Sequence, residues 1–168
     1  LANLLWYPLW DSGLDLDHAV RSRAQCEAVT DHDLPAATGW LEVRPVAGDA
    51  ELIEDTASSI LERWRRAARR RLPELLDSAQ ARLLESGRLP YLNQPNVKEA
   101  HGGLRDTVLV SALAASWLAD RPHGRYDDAV ERLLDVRDCI HLAAGRDTNL
   151  LLTAYQPAVA AMLGLADP

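Results

Sequence analysis

Hydrophobic and polar positions change their period along this chain. Residues 1–10, LANLLWYPLW, are apolar almost throughout and have no capping residue in front, the look of an element cut through rather than begun. DSG breaks the run, and LDLDHAVRS then alternates. Leu14, Leu16, His18 and Val20 share one face; Asp15, Asp17, Ala19 and Arg21 share the other. Period-two alternation after a turn predicts a half-buried strand. One strand cannot form a sheet, so its partners are expected from outside this stretch.

From Ala24 the period becomes helical. The pattern predicts a short helix over Arg23–Thr30 and a second from Asp33 towards Val43, interrupted by Pro45. Asp49, Glu51, Glu54 and Asp55 precede the run RWRRAARRR at 63–71. Acids at the start and arginines at the end suit a helix dipole, so one helix is expected over Ala50–Arg71. Pro73 opens another, PELLDSAQARLLESG, stopped by Gly87. RLPYLNQPNVKEAHGG reads as an irregular loop with two prolines. Helices are expected over Leu104–Ala119, Asp127–Ala144 with a Gly145 cap, and Thr148–Leu163, the last perturbed by Pro157.

Composition sharpens this picture. The chain has 168 residues, 48% of them hydrophobic and 26% charged, enough for a buried core and a solvated surface. Phe is absent and aromatics are few, so Leu, Ala and Val must build that core, and Ala and Leu favour helix. A net charge of −7 argues against nonspecific binding to nucleic acid or to anionic membranes. Cys26 and Cys139 show neither a pairing pattern nor metal-ligand spacing, which fits a reducing cytoplasm. No apolar run is long enough to span a bilayer, and no signal peptide is legible. A cytoplasmic location is the expectation.

The local chemistry centres on KEAHGGLRD at 98–106. A helix start exposes unpaired N–H groups, glycines let a phosphate approach the backbone, and Arg105 could fork onto its oxygens. Asp106 lies in the first turn, where it complements the dipole or could help hold Mg²⁺. The plainer reading is a Gly-Gly turn into a helix with Arg105 and Asp106 in water. In LDLDH, Asp15 and Asp17 lie at i and i+2 on one strand face, where a divalent metal could bind, or they form the polar side of an edge strand. His18, on the apolar face, fits a core role better than a ligand role. Arg21 could pair with the carboxylates or reach a phosphate. RWRRAARRR could meet an acidic partner or a nucleotide, or be a solvated face that supports the dipole. His141 sits one turn after Arg137, with Arg146 and Asp147 beyond, which reads locally as a helix end.

Taken together, WYPLWDSGLDLDHAVRS, LEVRPVAGD, PNVKEAHGGLRD and LLDVRDCIHLAAGRDTNLLLTAYQPAVAAMLG resemble the bacterial PII-protein uridylyltransferase/uridylyl-removing enzymes, in that order and over nearly the whole chain. The Lys-x-x-x-Gly-Gly element also resembles the adenylyltransferase that modifies glutamine synthetase, which fits the remaining motifs less well. The resemblance implies the C-terminal part of a DNA polymerase β-like nucleotidyltransferase domain over 1–48, followed by a helical domain over 49–168. The fold expected is thus mainly α: a bundle of about six helices behind one strand left over from an incomplete α/β domain.

The same resemblance implies transfer of a nucleotide monophosphate, from UTP or ATP with Mg²⁺, to the PII signal protein, with glutamine sensed elsewhere in the full-length enzyme. It implies Asp17 as a third carboxylate and metal ligand, and Arg21, Lys98, Gly102, Gly103, Arg105 and Asp106 around the nucleotide phosphates. His18, Arg44, Arg137, His141 and Arg146 are then structural or face a neighbouring domain. The family's Gly-rich strand and Ser-Asp-x-Asp strand match nothing in these residues, so Asp15 and Asp17 are not that pair, and the segment alone is expected to be inactive. Asn149 stands where the family tends to have a basic residue. The alternative is a non-catalytic helical module that binds PII or another domain.

Overall fold

The computed structural model describes residues 2–13 and 16–165, without the side chains of residues 2 and 3. Seven α-helices appear: α1 (Ala2–Asp11), α2 (Arg23–Thr30), α3 (Leu34–Trp40), α4 (Ala50–Ser86), α5 (Leu104–Ala115), α6 (Arg125–Ala144) and α7 (Gln156–Met162), with one 3₁₀ turn at Leu89–Tyr91. The strand expected over residues 14–22 is not found: residues 16–22 have no regular structure and no pairing, and residues 14 and 15 lie outside the described residues. Alternation alone cannot hold a strand that has no neighbour to pair with. His18 instead stacks on α1, its ring 5.1 Å from that of Trp6 and 4.9 Å from that of Trp10.

The central element is α4, one helix of 37 residues in which Pro73 is interior. Two expected helices are therefore one. Proline in a helix removes one backbone bond and costs about 3 kcal/mol. The cost is borne because Thr56, Ile60, Trp64, Ala68, Arg71 and Leu75 form one unbroken buried stripe, while Pro73 lies on the opposite, exposed face. Asp49 caps the start, its Oδ1 accepting from the Leu52 amide at 3.1 Å.

Two apolar cores form, one of them on this helix. Leu34 and Ala37 of α3, Trp64 and Leu75 of α4 and Ala112 of α5 form the first. The second joins Ile140 of α6 and Val159 of α7 to Val97 of the long loop. Helix α5 stops at Ala115, earlier than expected, because α4 caps it: Trp64 Nε1 donates to the Ala112 carbonyl and Arg65 Nε to the Ala115 carbonyl, each at 3.0 Å. The Arg65 guanidinium also lies 4.0 Å from the centre of the Trp117 ring. Helix α7 begins late because residues 149–151 are extended against the loop. The Val97 amide donates to the Asn149 carbonyl at 2.8 Å, and the Leu151 amide to Pro95 at 2.9 Å. Pro157 then sits in the first turn, where it starts the helix rather than disturbing it. Gly145 ends α6 in the left-handed region with φ 62°, as expected.

Helices α2 and α4 are laced by polar contacts. Ser22 and Gln25 form a reciprocal capping box at the start of α2. Ser59 donates to Glu27 at 2.8 Å, and Arg63 holds Asp31 through two hydrogen bonds. The Arg63 bond holds the Asp31 carboxyl below its ordinary range, and Ser59, then Arg23, do the same for Glu27. Carboxyls depressed in the folded state stabilise it above their unfolded pKa values and lose that contribution as pH falls through the lower folded values. Stability to urea is therefore expected to fall as pH drops below about 4, and Asp31→Asn should flatten that slope. Urea titrations at stepped pH check this.

Candidate functional site

The segment 96–106 is built from its own backbone outward. Pro95 fixes the approach, and the Asn96 side chain accepts from the amides of Lys98 and Glu99, each at 3.0 Å, closing an Asx-type turn. Gly102 has φ +90°, a region L-residues enter only at a cost. Gly103 is needed for a different reason. A Cβ there would lie 2.6 Å from the Val97 carbonyl oxygen and 2.8 Å from that of Ala100. The two adjacent glycines are required by separate constraints.

The amides at the start of α5 point inward. Gly103 donates to Ala100 at 2.8 Å, Leu104 to Val97 at 2.9 Å, Arg105 to Lys98 at 2.9 Å and Asp106 to Gly103 at 3.0 Å. The donors that would make this helix start an anion site are thus bonded within the chain. Asp106 is equally committed. Its Oδ2 accepts from the Gly102 amide at 2.8 Å and lies 3.1 Å from His101 Nδ1, while Oδ1 accepts from Arg82.

What remains for a ligand is on side chains. Arg105 reaches Glu99 at 3.1 Å and is 45% exposed, a pairing water can exchange. The Lys98 ammonium makes no hydrogen bond or ion pair among the described residues. Arg82, Glu85, Glu99 and Arg105 edge a groove of about 410 Å³ floored by Leu34, Leu75 and Val108.

The other residues singled out from sequence fall elsewhere. Asp17, Arg21 and Arg44 are exposed in extended or coil segments. His18 is exposed rather than buried, with the Trp6 and Trp10 rings beside it. Arg137 Nε, His141 Nε2 and Asn149 Oδ1 are buried with no hydrogen-bond partner. Asp147 lies 3.2 Å from His141 Nε2, in ion-pair range but out of line for a hydrogen bond. Arg146 is exposed. These α6 residues and Asn149 adjoin the candidate loop, since Val97 packs on Ile140 and bonds to Asn149.

A Mg²⁺ site does not assemble here: no three His, Cys, Asp or Glu side chains among the described residues converge. No helix among those residues is long and apolar enough to cross a membrane. Sequence reading passed over Asn96, Glu99, His101 and Arg82. Asn96, two and three residues before the amides whose hydrogen bonds it accepts, carries a legible Asx signal. Arg82 comes from another helix and carries none.

A family model described as GlnD PII-uridylyltransferase matches residues 108–168. Proteins named bifunctional uridylyltransferase/uridylyl-removing enzyme align over nearly the whole chain. That of Streptomyces coelicolor is 48% identical over 99% of this chain and 20% of its own length. That of Mycobacterium tuberculosis is 38% identical over 99% and 22%, and that of Corynebacterium glutamicum 37% over 97% and 23%. The chain thus spans about a fifth of the length of these relatives. No solved structure matches it.

Proposed function

We propose that this chain, which belongs to the bifunctional uridylyltransferase/uridylyl-removing enzyme family, forms the helical wall of a nucleotidyltransferase that modifies the PII signal protein. The observation that carries this reading is the 98–106 segment, a stiff loop that leaves Lys98 unpaired and Arg105 only loosely held beside a groove. Phosphoryl chemistry asks the protein mainly to position phosphates and offset their charge. Lys98 and Arg105 fill that role here, while Gly102, Gly103 and Asp106 keep the loop in shape.

Mg²⁺, with UTP or ATP as donor, belongs to carboxylates outside these residues, with Asp17 at most an outer member of that set. Arg21 is a further candidate phosphate contact. His18, Arg44, Arg137, His141 and Arg146 belong to packing or to the surface facing the catalytic domain, and buried polar atoms without partners on α6 favour that assignment. Glutamine acts on the longer protein, in the cytoplasm.

In the full-length protein, Lys98→Ala and Arg105→Ala are each expected to lower transfer to PII about tenfold to a hundredfold, the worth of one charge-assisted hydrogen bond. Intact mass of PII after incubation with UTP or ATP in separate reactions reads the rate and names the nucleotide. Unchanged transfer in both variants would leave this segment a non-catalytic module.

A further inference from the structure

The arginines at 63–71 lose their simplest explanation once α4 is seen whole. They stand in mid-helix, since α4 continues to Ser86, so the helix dipole gives no reason for them. Three are occupied within the chain. Arg63 holds Asp31, Arg65 caps α5, and Arg71 donates to the Thr30 carbonyl at 2.6 Å and to Glu74 at 3.1 Å. Among the described residues Arg66 meets only Glu62, at 2.8 Å on the exposed surface. Arg70 has no counter-ion within ion-pair distance among the described residues. In a chain of net charge −7 this is a local surplus of positive charge.

The surplus lies in a groove with a defined shape. Helices α2 and α4 run side by side in one register: Arg23 meets Asp55, Glu27 meets Ser59 and Asp31 meets Arg63, each pair 32 residues apart. At Asp31–Asp33 the chain turns into α3, which carries Leu34 and Ala37 to the first core. The line of α2 therefore stops while that face of α4 goes on through Arg66, Ala67, Arg70 and Glu74. The result is an open groove of about 760 Å³. Ala67 keeps its floor shallow, and the His32 imidazole is the one ring among its lining residues, with no Trp or Tyr to stack a base.

We propose that this groove docks an acidic helical segment of a partner protein, lying in line with α2 and continuing its register. Asp31 already shows the pairing such a segment would repeat. Arg63 stays with Asp31, and Arg66 and Arg70, at i and i+4, continue that row one turn apart, about 6 Å along the helix. Carboxylates one turn apart on a facing helix match that spacing.

The probe is a stapled twelve-residue alanine-based helix with Glu at every fourth position, labelled for fluorescence anisotropy against the full chain. Binding is expected at low salt and should weaken at least tenfold between 50 and 200 mM salt. The same peptide with Gln for Glu should not bind. Arg66→Glu with Arg70→Glu should abolish binding while leaving far-UV circular dichroism unchanged; if that pair perturbs the fold, Arg66→Gln with Arg70→Gln replaces it. Three results would overturn the proposal. One is no binding, or equal binding by the double variant. A second is displacement of the peptide by equimolar inorganic triphosphate, which marks a small-anion site. The last is self-association lost in the double variant, which assigns the groove to a second copy, whose α6 exposes Asp128, Glu131, Asp135 and Asp138.

Discussion

Gly103→Ala is expected to destabilise the protein by about 3 kcal/mol, the upper part of the range for forcing an extra carbon into a packed site. The new methyl would meet two carbonyl oxygens, at 2.6 and 2.8 Å, both of them backbone. A side chain could swing aside, but these oxygens cannot without giving up their bonds. The Val97 carbonyl accepts from the Leu104 amide and the Ala100 carbonyl from Gly103, so relief of the clash opens the turn that starts α5. Gly102→Ala makes the instructive contrast. Its Cβ would find only Leu89 Cβ, at 3.9 Å, so the cost there is the left-handed backbone alone, about 1–2 kcal/mol. Urea denaturation separates the two, and hydrogen exchange locates the damage. The amides of Leu104 and Arg105 should lose protection in the Gly103 variant far more than in the Gly102 variant. Equal losses would show that the turn yields more easily than its bonding implies.

That contrast also marks how much a sequence could say here. The Gly-Gly pair was visible as punctuation before a helix, but glycine signals only that something excludes a side chain. Whether the excluding partner is an incoming phosphate or the chain's own carbonyls depends on where Val97 and Ala100 fold to. The short helix α2 was legible because its period and length are local. The 37-residue α4 was not. Pro73 has the same φ at a helix start as in a helix interior, so the residue alone cannot distinguish them. The buried stripe running past it decides the matter. The strand failed for the opposite reason: alternation is local, but a strand exists only through partners. Arg82 of α4, Asp106 of α5 and His101 of the loop between them come together, and no spacing along the chain announces such a cluster.

Arg71→Met is expected to cost about 3 kcal/mol or more, although methionine fills much the same space. Arg71 is only 6% exposed, and it is the sole charged residue in the buried stripe of α4. Its guanidinium donates to the last carbonyl of α2 at Thr30, pairs with Glu74 and lies 5.4 Å from the centre of the Trp64 ring. Methionine would keep the ring contact and lose every donor, leaving a buried carbonyl unpaired at the negative end of a helix dipole. Arg71→Lys should recover only part of the loss, since an ammonium cannot reach carbonyl and carboxylate with one planar fork. Glu74→Gln should be mild, because Glu74 is half exposed and water replaces what it accepts. Hydrogen exchange should find the damage in α2 and the adjoining stretch of α4, while α6, which packs in the other core, keeps its protection. Should α6 open to the same extent, the two cores unfold as one cooperative unit, and Arg71 would be holding the whole helical body together rather than the seat of α2.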